Sequence, residues 1–259
     1  MIYRSAQFLF RSHTMVGQKT SREVSRCPRI KDPDHEPCKK PFHRVQSHPK
    51  MNGAEYREHS VLTGEIAQIV EKACRESTNC FGYSLWTHHI LLVVKYAKLM
   101  AGKLPADEEI AEIAALLHDY ASVKDPSLYE DHHIHGAELA EKILRQRNCP
   151  LDRIERVKLC ILSHRGSKPL KKLTKEAICV ADADSMAHFD SISSLFYLAF
   201  CRHKMNVDEA NDWIMQKLER SWNKLSPEAK DIIKDKYKAS RLLLSGNEQS
   251  FYSLSPEKS

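Results

Sequence analysis

Between Trp86 and Met100 the chain presents apolar side chains on almost every helical face, with Ile90, Leu91, Leu92, Val93, Val94, Tyr96, Ala97 and Leu99 in one run. A helix that is apolar all round has no side to give to water, so it belongs at the centre of a larger helical assembly. The flanking segments carry the narrower stripe expected of helices that cover such a centre. Val61, Leu62, Ile66, Ile69, Val70 and Ala73 recur at three- and four-residue spacing, as do Ile110, Ile113, Ala114, Leu116 and Leu117. Further helices are expected at His135–Gln146, at Arg153–His164 with Asp152 as N-cap, and at Glu176–Phe189, Ile192–His203, Val207–Leu218 and Pro227 to about Leu244. The polar stretch 121–131, which contains Pro126, reads as a loop. No strand-type alternation lasts long enough to count. The pattern predicts an all-α fold, a single helical domain over residues 51–245 with a flexible tail over 246–259.

Residues 1–50 differ in kind. They hold 11 Lys/Arg against 4 Asp/Glu, whereas residues 51–259 hold 29 against 30, so the net charge of +6 comes from the N-terminal segment. With the body neutral, nothing in its bulk charge calls for a nucleic-acid partner. Apolar runs such as Ile90–Val94 are far too short to span a bilayer, so no membrane partner is expected. Arg4, Arg11, Arg22, Arg26 and Arg29 lie among Ser and Thr, and Ile2, Phe8, Leu9 and Phe10 can share one helical face. That pattern suits a transit peptide over residues 1–30, or a disordered basic tail ahead of Met51. Cys27, His35, Cys38, His43 and His48 fit no standard zinc-finger spacing, and the prolines between them favour disorder. Eight cysteines without a C-x-x-C pair point to reduced thiols. An intracellular, cytoplasmic protein follows, or an organellar one if the transit peptide is real; homo-oligomerisation is left open.

The chemistry gathers at helix ends. Ten of the fourteen histidines lie in the body. His88-His89 opens the central helix, His118-Asp119 closes the next, His132-His133 and His135 stand at a helix start, and His164 ends its helix. Asp182-Ala-Asp184 follows the apolar turn Ile178–Ala181. One such histidine is usually a hydrogen-bonded core residue. Several at helix termini beside carboxylates suit a divalent metal, because imidazole and carboxylate together bind such ions while leaving positions open to water.

His89 with Val93 and Ala97, then Ala114-Ala-Leu-Leu-His118-Asp119, then Ala181-Asp-Ala-Asp184 resembles the HD-domain superfamily of metal-dependent phosphohydrolases. The resemblance runs from about Phe81 to Phe189, and the helices on to Leu244 look like the extension of one archaeal and bacterial subgroup. It implies His89, His118, Asp119 and Asp184 as metal ligands and Asp182 as a supporting partner. His133 and His164 match the places where some members hold a second metal. One divalent ion or two is therefore expected, from among Mn, Mg, Co, Ni, Fe and Zn. The chain departs from the cyclic-dinucleotide subgroup at His164-Arg-Gly166, which lacks that subgroup's His-His-Glu and Gly-Tyr-Pro.

The reaction implied is hydrolysis at phosphorus of a small phosphate ester or anhydride, with a nucleotide as the expected substrate. Asp119 would orient the attacking water or take its proton, and Asp182 is the alternative for that role. Lys124, Arg165 and Lys168, each soon after a ligand, are candidates for substrate phosphate, although loop cations are more often simply solvated. His188 reads as a core or supporting group, and Trp213 and Trp222 as packing anchors. Two rivals remain: a di-iron oxygenase using the same ligand shell, and a non-catalytic binding module that keeps the fold.

Overall fold

The computed structural model describes residues 53–165 and 172–245, with side chains from residue 61 onward. The expectations for residues 1–50, for Lys168 and for the tail after Gly246 lie outside the described residues. Those described are helical and fall within one unit of the chain.

In order they are α1 (Gly53–Arg75), a π-helical turn (Trp86–Ile90), α2 (Leu91–Lys103), α3 (Glu108–Leu117), α4 (Tyr120–Lys124), a 3-10 turn (Pro126–Asp131), α5 (His132–Arg145) and α6 (Leu151–Ser163). There follow α7 (Lys175–Asp190), α8 (Ile192–Tyr197), a second π-helical turn (Leu198–Arg202), α9 (Val207–Lys224) and α10 (Pro227–Leu244). None of them is long and apolar enough to cross a membrane.

The apolar run of α2 lies at the centre, as its composition requires. Its broadest contact is with α7, and α3 packs against α1, α2, α6 and α7. Small residues allow this close approach: Ala111, Ala114 and Ala115 on α3, and Ala177, Ala183 and Ala187 on α7, are all buried. Ile90, Met100, Ile113, Leu117, Ile161 and Met186 are fully enclosed around them. Each such side chain contributes about 1.5–3 kcal/mol by leaving water.

Local chemistry sets the helix starts. Asp107 accepts the Ile110 amide at 3.2 Å, and Thr174 accepts that of Ala177 at 3.1 Å. Asn206 and Glu209 form a reciprocal capping box. Ser226 caps α10, whose first residue is Pro227, a position where proline loses no helical hydrogen bond.

Several boundaries differ from the sequence reading, among them the end of α9, expected at Leu218 and found at Lys224. The stretch 121–131, expected as a loop, completes α4 and then turns: Asp125 accepts the Ser127 amide at 2.8 Å, and Pro126 starts the 3-10 turn that delivers the chain into α5 at His132, three residues earlier than expected. Asp152 is not the N-cap of α6. Pro150, in extended backbone, takes that place, and Asp152 lies in the first helical turn.

One polar clamp joins three helices beneath the site. The Glu176 carboxylate accepts the Asp107 amide at 3.0 Å and meets Arg156 at 3.3 Å, while Arg156 reaches Asp107 at 2.9 Å. Burial alone would raise the Glu176 pKa; the Asp107 amide, its own amide, the Thr174 hydroxyl and Arg156 together outweigh that and hold it below its ordinary 4.5. A carboxylate lowered on folding stabilises the fold above its unfolded value and loses that contribution as pH falls through the folded one. Glu176→Ala is therefore expected to cost about 1–3 kcal/mol at neutral pH by stranding its donors. In urea titrations the gap to the wild type should narrow as the pH drops below the ordinary carboxylate value.

Candidate metal centre

Five elements bring polar side chains to one cavity of about 350 Å³. The π-helical turn before α2 supplies His89, and the α3–α4 junction supplies His118 and Asp119. The start of α5 supplies His132, the residue after α6 is His164, and α7 carries Asp184 and His188. π-Helical turns widen a helix by one residue and often mark functional positions. Here the turn leaves His88 exposed, bonded to Thr87, and carries His89 inward.

Three of the imidazoles are fixed in the same way. Nδ1 of His118 lies 2.7 Å from the Ala115 carbonyl, Nδ1 of His132 lies 2.6 Å from that of Tyr129, and Nδ1 of His164 lies 2.6 Å from that of Ile161. In each case Nδ1–H donates to the carbonyl three residues back, which assigns the tautomer and leaves the Nε2 lone pair facing the cavity. Nε2 of His132 and Nε2 of His164 then face each other at 3.2 Å, as do those of His89 and His118. Opposed lone pairs at that distance repel unless a cation or proton lies between them. The donor set therefore fits a metal ion.

Asp119 divides itself between the two pairs. Its Oδ2 lies 3.4 Å from His89 and 3.3 Å from His118, and its Oδ1 lies 3.4 Å from His132 and 4.0 Å from His164. Asp184 Oδ1 stands 3.4 Å from His89 and 3.8 Å from His188. Three overlapping groups can each hold an ion: His89, His118 and Asp119; His89, Asp184 and His188; and Asp119, His132 and His164.

Charge follows position. Burial pushes the Asp119 pKa up, but His118 beside it wins and holds the carboxyl well below its usual range. Burial opposes protonation of His118, yet Asp119 raises its pKa to about 9. His164 is lowered to about 4, by burial and then by His118. His188 is held well below its ordinary value by burial and then by Lys217. The centre thus keeps its carboxylates ionised and attracts positive charge. Burial, reinforced by Asp119, pushes the nearby Cys74 up to about 12, so it stays a thiol.

The structure brings together His89, His118, Asp119, Asp184 and His164 from among the residues singled out in the sequence. It places His132, not His133, in the cluster. His133 is buried on the face of α5 shared with Ala137 and Leu144, which packs into the core. His132 sits one turn before Gly136, where an added Cβ would lie 3.4 Å from the His118 carbonyl and 3.2 Å from Ile161. The glycine lets α5 approach the end of α3, and that spacing is the signal by which the sequence could have selected His132.

Asp182 is buried on another face of α7, where it accepts the Ser226 amide at 3.2 Å and lies 3.7 Å from Lys172. It supports the C-terminal helices, and among the described residues these contacts face away from the ligand cluster, in contrast to its expected partnership. Lys124 is paired with Glu76 at 2.6 Å and does not line the cavity. Arg165 does line it and pairs with Glu130 at 3.1 Å. α9 also contributes Lys217, Arg220 and Lys224 to the wall, which sequence reasoning missed because they stand far from every motif.

Residues 86–188 match the family model of the HD domain. That stretch contains every residue of the ligand cluster. Its fold is similar to that of YpgQ from Bacillus subtilis, with a TM-score of 0.58 at 18% identity, covering 74% of this chain and 97% of that one. A structure of YpgQ in complex with ADP gives a TM-score of 0.55 at 21% identity, covering 73% and 97%. The Lin1889 protein of Listeria innocua gives 0.53 at 22%, covering 74% and 99%. A tRNA (cytidine(56)-2'-O)-methyltransferase from Picrophilus torridus is 32% identical over 158 residues, which is 57% of this chain. The chain spans only 44% of that curated relative.

His132→Ala is expected to lower the metal bound per chain after reconstitution, measured by elemental analysis. His133→Ala should instead lower the denaturation midpoint, by about 1–3 kcal/mol in stability.

Proposed function

We propose that the protein is a metal-dependent phosphohydrolase acting on a small phosphate ester or anhydride, with a nucleotide as substrate. The observation that carries this reading is the division of Asp119 between two imidazole pairs within a cavity that also has a cationic wall. The proposed ligands are His89, His118, Asp119 and Asp184 for one divalent ion, with His132 and His164 joining Asp119 at a second. Such an ion makes water a stronger nucleophile near neutral pH and withdraws charge from a phosphoryl oxygen.

The chain's own part is positional. The three backbone-locked imidazoles and the ionised Asp119 need little reorganisation to meet an ion or a reacting group. Asp119, between the two pairs, orients the attacking water. The water oxygen forms a bond to phosphorus, the bond from phosphorus to the ester or anhydride oxygen breaks, and a water proton ends on the leaving oxygen. The cavity volume suits a small phosphorylated molecule. The ADP complex of YpgQ, a protein of similar fold, supports a nucleotide.

Two ligand groups sharing one carboxylate also favour a second reading, a di-iron oxygenase. Tightly held iron with oxygen uptake and no phosphate release would select it. Nucleotide binding with neither activity would select a non-catalytic module.

The deciding experiment is elemental analysis of the full chain, followed by a phosphate-release screen over nucleotides with Mn, Mg, Co, Ni, Fe or Zn. Release that depends on the metal is expected. Asp119→Ala should reduce it by more than about 100-fold, beyond the roughly 10–100-fold cost typical of residues that only support a ligand.

A further inference from the structure

The matched HD domain ends at His188, yet the cavity does not. Helix α9 begins after that boundary, at Val207, and turns Lys217, Arg220 and Lys224 toward the same cavity as Asp119 and Asp184. The spacing of three and then four residues puts them along one face, over about 10 Å of helix. Two contacts fix this helix against the site. Ser221, between the cations, lies 3.0 Å from Nδ1 of His188, and Asp182 holds the Ser226 amide just past the end of α9.

These three cations are not spent on neighbouring carboxylates. Among the described residues none of them forms an ion pair, whereas Arg165 on the opposite wall is engaged by Glu130. Burial lowers the pKa of both Lys217 and Lys224, with Asp184 opposing, so both lysines are partly stripped of water. Lysines partly buried in this way gain most from an anion that replaces the lost water, and the exposed Arg220 stands between them on the same row.

The amount of charge narrows the anion. Asp119 and Asp184 are matched by whatever divalent cation they hold, which leaves the α9 row over. One terminal phosphate carries about −1.5 to −2 and is the group expected at the metal centre. The row needs further phosphoryl groups, continuous with the first and extending away from it.

We propose that α9, outside the matched domain, is a specificity element in which Lys217, Arg220 and Lys224 bind the additional phosphates of a nucleoside di- or triphosphate and select it over the monophosphate. This rests on the nucleotide reading of the site but not on hydrolysis, so the two can fail separately.

The test is calorimetric binding of AMP, ADP and ATP to the full chain in EDTA, which removes the metal's share of phosphate affinity. ADP and ATP are expected to bind at least about tenfold more tightly than AMP. In Lys217→Gln/Lys224→Gln that ratio should fall toward one, with circular dichroism unchanged. Lys217→Arg/Lys224→Arg should restore much of the ratio, and it keeps the test open if the neutral variant does not fold. Equal binding of all three nucleotides by the wild type, or a ratio untouched by the neutral variant, overturns the inference. Preserved selectivity in a protein that releases no phosphate would remove the hydrolase reading and leave this one standing.

Discussion

The Asp119 carboxylate is the contact on which the centre depends. It lies at a helix junction, one oxygen toward His89 and His118 and the other toward His132 and His164. Four imidazoles from four elements would otherwise share a small volume with nothing to balance a cation among them. An ionised group in that place draws a proton or a cation in among the lone pairs, and burial in turn makes its charge effective at short range. The surrounding packing serves this arrangement. Small residues on α3 and α7 let the backbones close in, and Gly136 lets α5 do the same. His118, His132 and His164 are then set by the backbone, each bonded three residues back, rather than by one another.

Much of this was legible in the sequence because it is local. The all-round apolar character of α2 fixed its central place, and the order of His89, His118-Asp119 and Asp184 on successive helices pointed to one site. His89, rather than His88, was singled out by its resemblance to the HD pattern, with Val93 and Ala97 four and eight positions on, and the structure brings His89 to the cluster. His164 was legible for the same reason.

What was not legible depends on rotation or on distance along the chain. His132 and His133 are neighbours, and only the helix start set by Pro126 and Asp125 decides which of them faces the cavity. Asp182 and Asp184 both looked suited to the site, yet two residues on a helix differ by about 200° of rotation, so they serve different partners. Lys124 follows the ligand Asp119 by five residues but is held by Glu76, just past the end of α1. Lys217, Arg220 and Lys224 carry no motif and reach the cavity only because α9 folds back across α7.

That difference in rotation also separates two jobs on a single helix. Asp184 looks toward the ligand cluster, while Asp182 grips the joint between α9 and α10 through the Ser226 amide. The C-terminal hairpin is thereby registered to the centre without sharing a ligand with it. A lineage that keeps this joint can exchange the outward side chains of α9 one by one, retuning what the cavity admits while the imidazole frame stays where it is.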